Sequence, residues 1–217
     1  IKTAVNKGAS VVVCSKSCKI IDNSILIIKT NKIRHLLSYV ASKFYKLKPK
    51  NIIAVTGTNG KTSVSDLFYQ ILRINNIPVA SMGTLGIKYN DKLIKTNLTS
   101  PDTITLHKNL NYLKNKKINN AIIEASSHGL DQKRLHHIKF KGAIFTNFSQ
   151  DHLDYHKTMK SYLNAKLILF RKILSKKSTI ISNGEIPTFK ILNQIAKKKN
   201  FKILNVKKTF KKIQNVD

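Results

Sequence analysis

Residues 56–62 read Thr-Gly-Thr-Asn-Gly-Lys-Thr and join a β-branched run, Ile52 to Val55, to an amphipathic stretch from Lys61 to Ile74. A buried strand that turns through glycines straight into a helix restricts the fold to a few α/β arrangements. Gly57 and Gly60 let the backbone curl so that several N–H groups point inward. The new helix aims its positive N-terminal end at the same point. Lys61 adds a charge suited to β- and γ-phosphates, and the Thr62 hydroxyl suits Mg²⁺. Residues Gly57, Thr58, Asn59, Gly60, Lys61 and Thr62 therefore form a candidate cradle for a nucleotide triphosphate. The usual pattern leaves four residues between its glycines; with Val55 in the first glycine's place, this loop is the shorter Gly-x-x-Gly-Lys-Thr.

The rest of the chain alternates in the way such a loop requires. The 61–74 helix is expected to bury Val64, Leu67, Phe68, Ile71 and Leu72, and Asn75, Asn76 and Pro78 close it. Strands are expected at Val79 to Met82, Ala121 to Ala125, Gly142 to Asn147, Thr179 to Ser182 and Phe201 to Val206, with a hairpin over Ile87 to Lys95 turning at Asn90-Asp91. Helices are expected after Ser100 as N-cap with Pro101 at the first position, over 158–173, and from Ile186 to Lys199. This reads as a mostly parallel sheet with helices on both faces.

Ahead of the loop, Ala9 to Val13 and Ile25 to Lys29 read as short buried strands. Residues 30–47 read as a helix burying Ile33, Leu36, Leu37, Val40, Ala41 and Phe44. Pro49 ends it. The expected division is residues 1–48 and residues 49–217. The last ten residues are polar and basic and do not read as the end of a domain, so the second unit is expected to be incomplete.

The formal charge is +30, from 40 Lys and Arg against 10 Asp and Glu. The excess is nearly all lysine and is spread from end to end, not gathered in a stripe with aromatics. It suits an anionic substrate, and no nucleic-acid partner is expected. A basic, nucleic-acid-binding NTPase is the alternative of a different class; it would need the charge on one face and ATP hydrolysis turned on by DNA or RNA. Cys14 and Cys18 match neither a zinc set nor C-x-x-C and read as ordinary thiols. With no secretory signal and no apolar run of roughly 18–20 residues, the expectation is a cytoplasmic monomer without membrane insertion.

Four further strings follow the loop: GTLG at 83–86, LTSPD at 98–102, EASSHGL at 124–130 and TNFSQDHLDYH at 146–156, with AK at 165–166. Together they resemble the Mur ligases, and among these the UDP-N-acetylmuramoyl-tripeptide synthetases. Residues 4–13, AVNKGASVVV, resemble the end of that family's N-terminal uridine-binding domain. The resemblance implies the C-terminal part of that small α/β domain, then a P-loop ATPase domain cut short, with a third domain absent.

It also implies a reaction. ATP phosphorylates a carboxylate of UDP-N-acetylmuramoyl-L-alanyl-D-glutamate, and an amine displaces the phosphate to form an amide. The amine is expected to be meso-2,6-diaminopimelate, with L-lysine as the alternative. Lys61, Glu124, His152 and Lys166 would be catalytic. Thr62, Glu124, His152 and Lys166, the last as a CO₂-derived carbamate, would hold Mg²⁺. Asn147 matches the adenine contact, and Thr99, Ser100, Ser126, Gln132 and Arg134 match contacts to the muramoyl-dipeptide. Asp151, Asp154 and His156 are expected to brace the loop.

Glu124 fits its role on chemistry too, being a hard oxygen donor at the carboxyl end of an expected strand. His128 follows two serines, but adjacent residues rarely align for proton transfer and no G-x-S-x-G string is present. Departures from the family pattern are Ser100 for a second Thr, Ala125 for Val, Gln150 for a basic residue, and Asn183-Gly184-Glu185 for Asn with an acidic pair. Folylpolyglutamate synthetase, which shares the ATP loop, is the same-class alternative; the SSHGL and LTSPD strings speak against it.

Overall fold

The computed structural model describes residues 1–19, 23–95 and 99–209. The backbone forms two separate sheets. A short helix α1 (Lys2–Asn6) leads into parallel strands β1 (Val11–Cys14) and β2 (Leu26–Lys29), and helix α2 (Ile33–Phe44) follows.

The large sheet begins with β3 (Asn51–Thr56). After it come α3 (Lys61–Ile74), β4 (Val79–Gly83), the hairpin β5 (Gly86–Tyr89) and β6 (Lys92–Ile94), and α4 (Thr103–Asn115). Then β7 (Asn120–Glu124), α5 (Ser127–Asp131), β8 (Gly142–Phe145), α6 (Leu153–His156) and α7 (Met159–Ile168) precede a π-helical turn over Leu169–Ile173. Strand β9 (Thr179–Ser182), α8 (Phe189–Lys199) and β10 (Lys202–Asn205) complete the described fold. The strand order is β10-β9-β8-β3-β7-β4-β5-β6, parallel except for the hairpin at the β6 edge. The expected α/β class and the Asn90-Asp91 hairpin are both present.

Central strand β3 lies between β7 and β8, with Val55 opposite both Glu124 and Ile144. The loops that leave these three strands therefore converge at one edge, the carboxyl edge where ligands bind in such sheets. Leu106, Leu110 and Leu113 of α4, with Ile123, Phe140, Phe145 and Phe170, are fully or almost fully buried and hold that edge rigid. Truncating one such leucine to alanine costs about 2–5 kcal/mol.

Several expectations are corrected. The α4 cap is Asp102, whose carboxylate accepts from the N–H groups of Ile104 and Thr105, so Ser100 and Pro101 precede the helix. The helix expected over 158–173 loosens into the π turn, which lets Leu169, Phe170 and Ile173 all face the core. Helix α8 starts at Phe189, three residues late, because Ile186 precedes Pro187 and is held away from helical geometry. Strands β1 and β2 are not buried runs: Val12 and Cys14 are covered while Val11, Val13, Leu26 and Ile28 are exposed.

The buried faces of α2 and α3 are also rotated from those expected. Helix α2 buries Ser38 and Ala41, and leaves Ile33, Leu37, Val40 and Phe44 exposed. It docks on the large unit partly through polar contacts, with the Ser38 hydroxyl donating to the His136 carbonyl. Helix α3 buries Ser65 and Tyr69 against the sheet, while Leu67 and Ile71 face out. Leu98, the first residue of the LTSPD string, lies outside the described residues, as does most of the basic terminus.

Candidate active site

The loop after β3 is built by its glycines. Gly57 has φ +149° and Gly60 φ +81°, conformations that side chains disfavour. A Cβ on Gly57 would meet Thr146 Oγ1 at 1.9 Å. That contact shows how closely the loop lies on the segment after β8. The segment in turn holds the loop: Asn147 accepts from the Thr58 N–H through its carbonyl (3.0 Å) and from the Asn59 N–H through Oδ1 (2.9 Å). Thr146 Oγ1 donates to the Asn59 carbonyl at 2.6 Å, and the Thr58 hydroxyl bridges to Ser149.

Lys61 opens α3 and turns back, its ammonium donating to the Gly57 and Thr58 carbonyls. Burial pulls its pKa below the ordinary lysine value, while Glu124 and Asp151 oppose the shift.

Glu124 ends β7 and is 1% exposed. Its Oε2 accepts from the Thr62 hydroxyl at 3.0 Å and lies 3.1 Å from Thr84 Oγ1, and its Oε1 accepts from the Thr84 N–H at 3.1 Å. Lys166, on α7, is also 1% exposed. It donates to the Gly57 carbonyl at 2.7 Å and lies 4.3 Å from the centre of the Tyr162 ring. Burial, reinforced by the charge of Lys61, lowers its pKa to about 7 against a weaker upward pull from Asp151.

His152 sits at φ +52°, rare for a residue with a side chain, and so projects sharply from the start of α6. Its ring packs against His128 and Tyr162, and its Nε2 lies 3.4 Å from Asp151 Oδ2.

Lys61, Thr62, Thr99, Ser126, His152 and Lys166 line one crevice of about 240 Å³. Glu124 lies beneath it, reached through Thr62 and Thr84. A larger hollow of about 420 Å³ beside Arg73 and Asn90 is remote from the loop and lacks its inward N–H groups.

The expected substrate contacts divide into two sets. Thr99 and Ser126 line the crevice, whereas Ser100 is buried with its hydroxyl occupied: it donates to the Glu124 carbonyl and accepts from Ser126. Arg134 is likewise engaged, forking onto Gln132 Oε1 and donating to the Ser100 carbonyl. Thr84, Ser149 and Tyr162 carry contacts at this site that the sequence did not assign. For Thr84 a signal existed, because the GTLG string stands at the carboxyl end of a strand.

A family model described as the Mur ligase middle domain matches residues 55–216, which includes every residue of this crevice. The chain belongs to the Mur ligase family. It is 39% identical over 212 residues to the UDP-N-acetylmuramoyl-L-alanyl-D-glutamate–2,6-diaminopimelate ligase of Rickettsia montanensis, covering 96% of this chain and 44% of that one.

A solved structure of a ligase of the same name superimposes with a TM-score of 0.80 at 29% identity, covering 94% of this chain and 41% of that one. The Mycobacterium tuberculosis folylpolyglutamate synthase complexed with ADP matches at a TM-score of 0.61 and 15% identity, over 79% of this chain and 45% of that one, a likeness of fold alone. This Mur ligase chain thus spans about two fifths of the length of such relatives.

Proposed function

We propose that the protein of which this chain forms part is the ATP-dependent amide ligase that joins meso-2,6-diaminopimelate to UDP-N-acetylmuramoyl-L-alanyl-D-glutamate. The observation that carries this reading is the convergence of the phosphate loop, Thr62 on Glu124, His152 and Lys166 around one crevice. The 39% identity to a ligase of that name favours it over the folylpolyglutamate reading. The proposed division is a nucleotide-sugar-binding unit ending near residue 48 and an ATP-binding unit from residue 49. In this reading the reaction runs in the cytoplasm, since its nucleotide-linked substrate is soluble. Among the described residues no helix is long and apolar enough to cross a membrane.

Two anions must meet in the first step, the γ-phosphate and the substrate carboxylate. Cations have to offset their repulsion. The loop N–H groups and Lys61 would hold the triphosphate. As its γ-phosphoryl passes to the carboxylate oxygen, ADP leaves. The amine nitrogen then attacks the acyl carbon and phosphate departs. Thr99 and Ser126 would orient the acceptor, while Ser100, Gln132 and Arg134 keep that wall in place. Asn147 supports the loop that the adenine must approach.

The donors present fit Mg²⁺, which takes one or two carboxylates with phosphates and water and does not need a closed protein cage. The contact between Thr62 and Glu124 is a hard-oxygen pair of this kind. His152 and a carbamate on Lys166 would complete the set, and the ion would neutralise phosphate charge when bound. A lysine whose pKa falls to about 7 is neutral often enough at cytoplasmic pH to capture CO₂.

The test is an assay of the complete protein with ATP, UDP-muramoyl-dipeptide and, in parallel, diaminopimelate and L-lysine. The expected result is ADP release with diaminopimelate. Turnover only with folate and glutamate, or only with nucleic acid, refutes the proposal.

A further inference from the structure

Thr84, unused in the scheme above, sits at the centre of the site. It follows β4 directly, in the turn to β5. Its main-chain N–H and its hydroxyl take one oxygen each of the Glu124 carboxylate, both at 3.1 Å. The same hydroxyl lies 3.1 Å from Thr99 Oγ1. A hydroxyl has a single proton, and an ionised carboxylate only accepts. The Thr84 hydroxyl therefore shares its one proton between Glu124 Oε2 and Thr99 Oγ1, and so links the buried carboxylate to the acceptor wall. The backbone is moulded to the same group, since a Cβ at Gly83 would come within 2.0 Å of Glu124 Oε1.

We infer that Thr84 is a positioning residue that fixes the rotation of the Glu124 carboxylate and ties it to Thr99 on the acceptor side of the crevice. The inference rests on the ligase reading, in which Thr62 and Glu124 hold Mg²⁺. A hydroxyl that serves a metal does so through an oxygen lone pair, so Thr62 and Thr84 can both still donate to Glu124. Beside the Thr62 hydroxyl, Thr84 supplies two donors to the carboxylate, one to each oxygen. Outer-sphere partners of this type set metal affinity by orienting the ligand.

The experiment uses the complete ligase. Thr84→Val keeps the shape and the N–H but removes the hydroxyl; Thr84→Ser keeps the hydroxyl; Thr84→Ala is a second hydroxyl-free variant should valine disturb the turn. Mn²⁺ uptake in the presence of ADP is read from the paramagnetic resonance of free Mn²⁺, alongside the Mg²⁺ dependence of ligation. Thr84→Val is expected to weaken Mn²⁺ binding about 10-fold or more, with Thr84→Ser within about 3-fold of wild type. Thr99→Val should lose less, and adding it to Thr84→Val should cost nothing further, because the two residues act through one chain.

Wild-type Mn²⁺ affinity in Thr84→Val, a serine variant as poor as the valine one, or losses that multiply in the double variant would each overturn the inference. A wild-type enzyme that takes up no Mn²⁺ with ADP instead refutes the nucleotide–metal reading beneath it, and shows this before any variant is made.

Discussion

Lys166 donates a hydrogen bond of 2.7 Å to the carbonyl of Gly57, which fastens a buried ammonium to the first glycine of the phosphate loop. Its folded pKa of about 7 lies below the unfolded lysine value. The unfolded chain therefore holds this proton more tightly than the fold does. The penalty is absent above pH ~10.5, grows as pH falls, and is complete below about pH 7.

Lys166→Met should accordingly stabilise the protein at pH 7 by about 1–3 kcal/mol, since an apolar residue of similar volume replaces a buried charge. Ligation should fall by about 100-fold or more if this side chain carries the proposed carbamate. Urea melts at pH 7 and activity on the complete enzyme check both. A variant that keeps normal activity would rule out the proposed role of the lysine.

Gly57→Ala strains the loop twice. Its φ of +149° is unfavourable for alanine, and the new methyl would strike Thr146 Oγ1 and crowd the Asn147 N–H. The expected loss is about 2–4 kcal/mol of stability, with nucleotide binding abolished. Adding Thr146→Ala removes the worst contact but not the dihedral strain, so thermal melts should show partial recovery only.

Asn147 offers a way to separate bracing from base recognition. Its Oδ1 accepts from the Asn59 N–H, so Asn147→Ala should loosen the loop and weaken ADP binding about 10-fold, or roughly 1.4 kcal/mol. If bracing is the cause, pyrophosphate binding weakens by a similar factor. If the side chain chiefly reads adenine, pyrophosphate is unaffected. Calorimetric titration of both ligands tells the two apart.

The strings stood out because the chemistry they suggest is local: a glycine loop, a carboxylate ending a strand and a histidine in a turn can each be picked out within a few residues. The sheet was legible for the same reason, since β3, β7 and β8 are short apolar runs between turn signals. What each residue touches was not legible. Ser100 and Arg134 look like free ligands in sequence, yet Ser100 is engaged by Glu124 and Arg134 is held by both the nearby Gln132 and the distant Ser100 carbonyl. Apolar periodicity also misjudged α2 and α3, where the small or polar residues Ser38, Ala41 and Ser65 are the ones that fit the tight contacts and Leu37, Leu67 and Ile71 are left outside.

The last expectation concerns two histidines near the contact between α2 and the large unit. His107, on α4, is fully buried; its ring nitrogens lack a well-formed hydrogen bond among the described residues, and the His136 backbone beside them only partly offsets the burial. Burial, helped by the charge of Lys48, lowers its pKa to about 4; burial and the neighbouring His35 do the same to His136. Both rings are therefore neutral in the fold but take up protons in the unfolded chain below pH ~6.5. Their contribution to stability is complete above that pH, declines as pH falls, and is gone below about pH 4. Between pH 7.5 and 4.5 the two together should cost roughly 3–4 kcal/mol, the larger share from His107 because solvent screening discounts the half-buried His136. His107→Leu keeps the volume and removes the buried imidazole. It should leave stability at pH 7.5 nearly unchanged and remove more than half of the acid loss. If denaturant melts show His107→Leu falling as steeply as wild type over this range, the buried imidazole is not what makes the fold acid-sensitive.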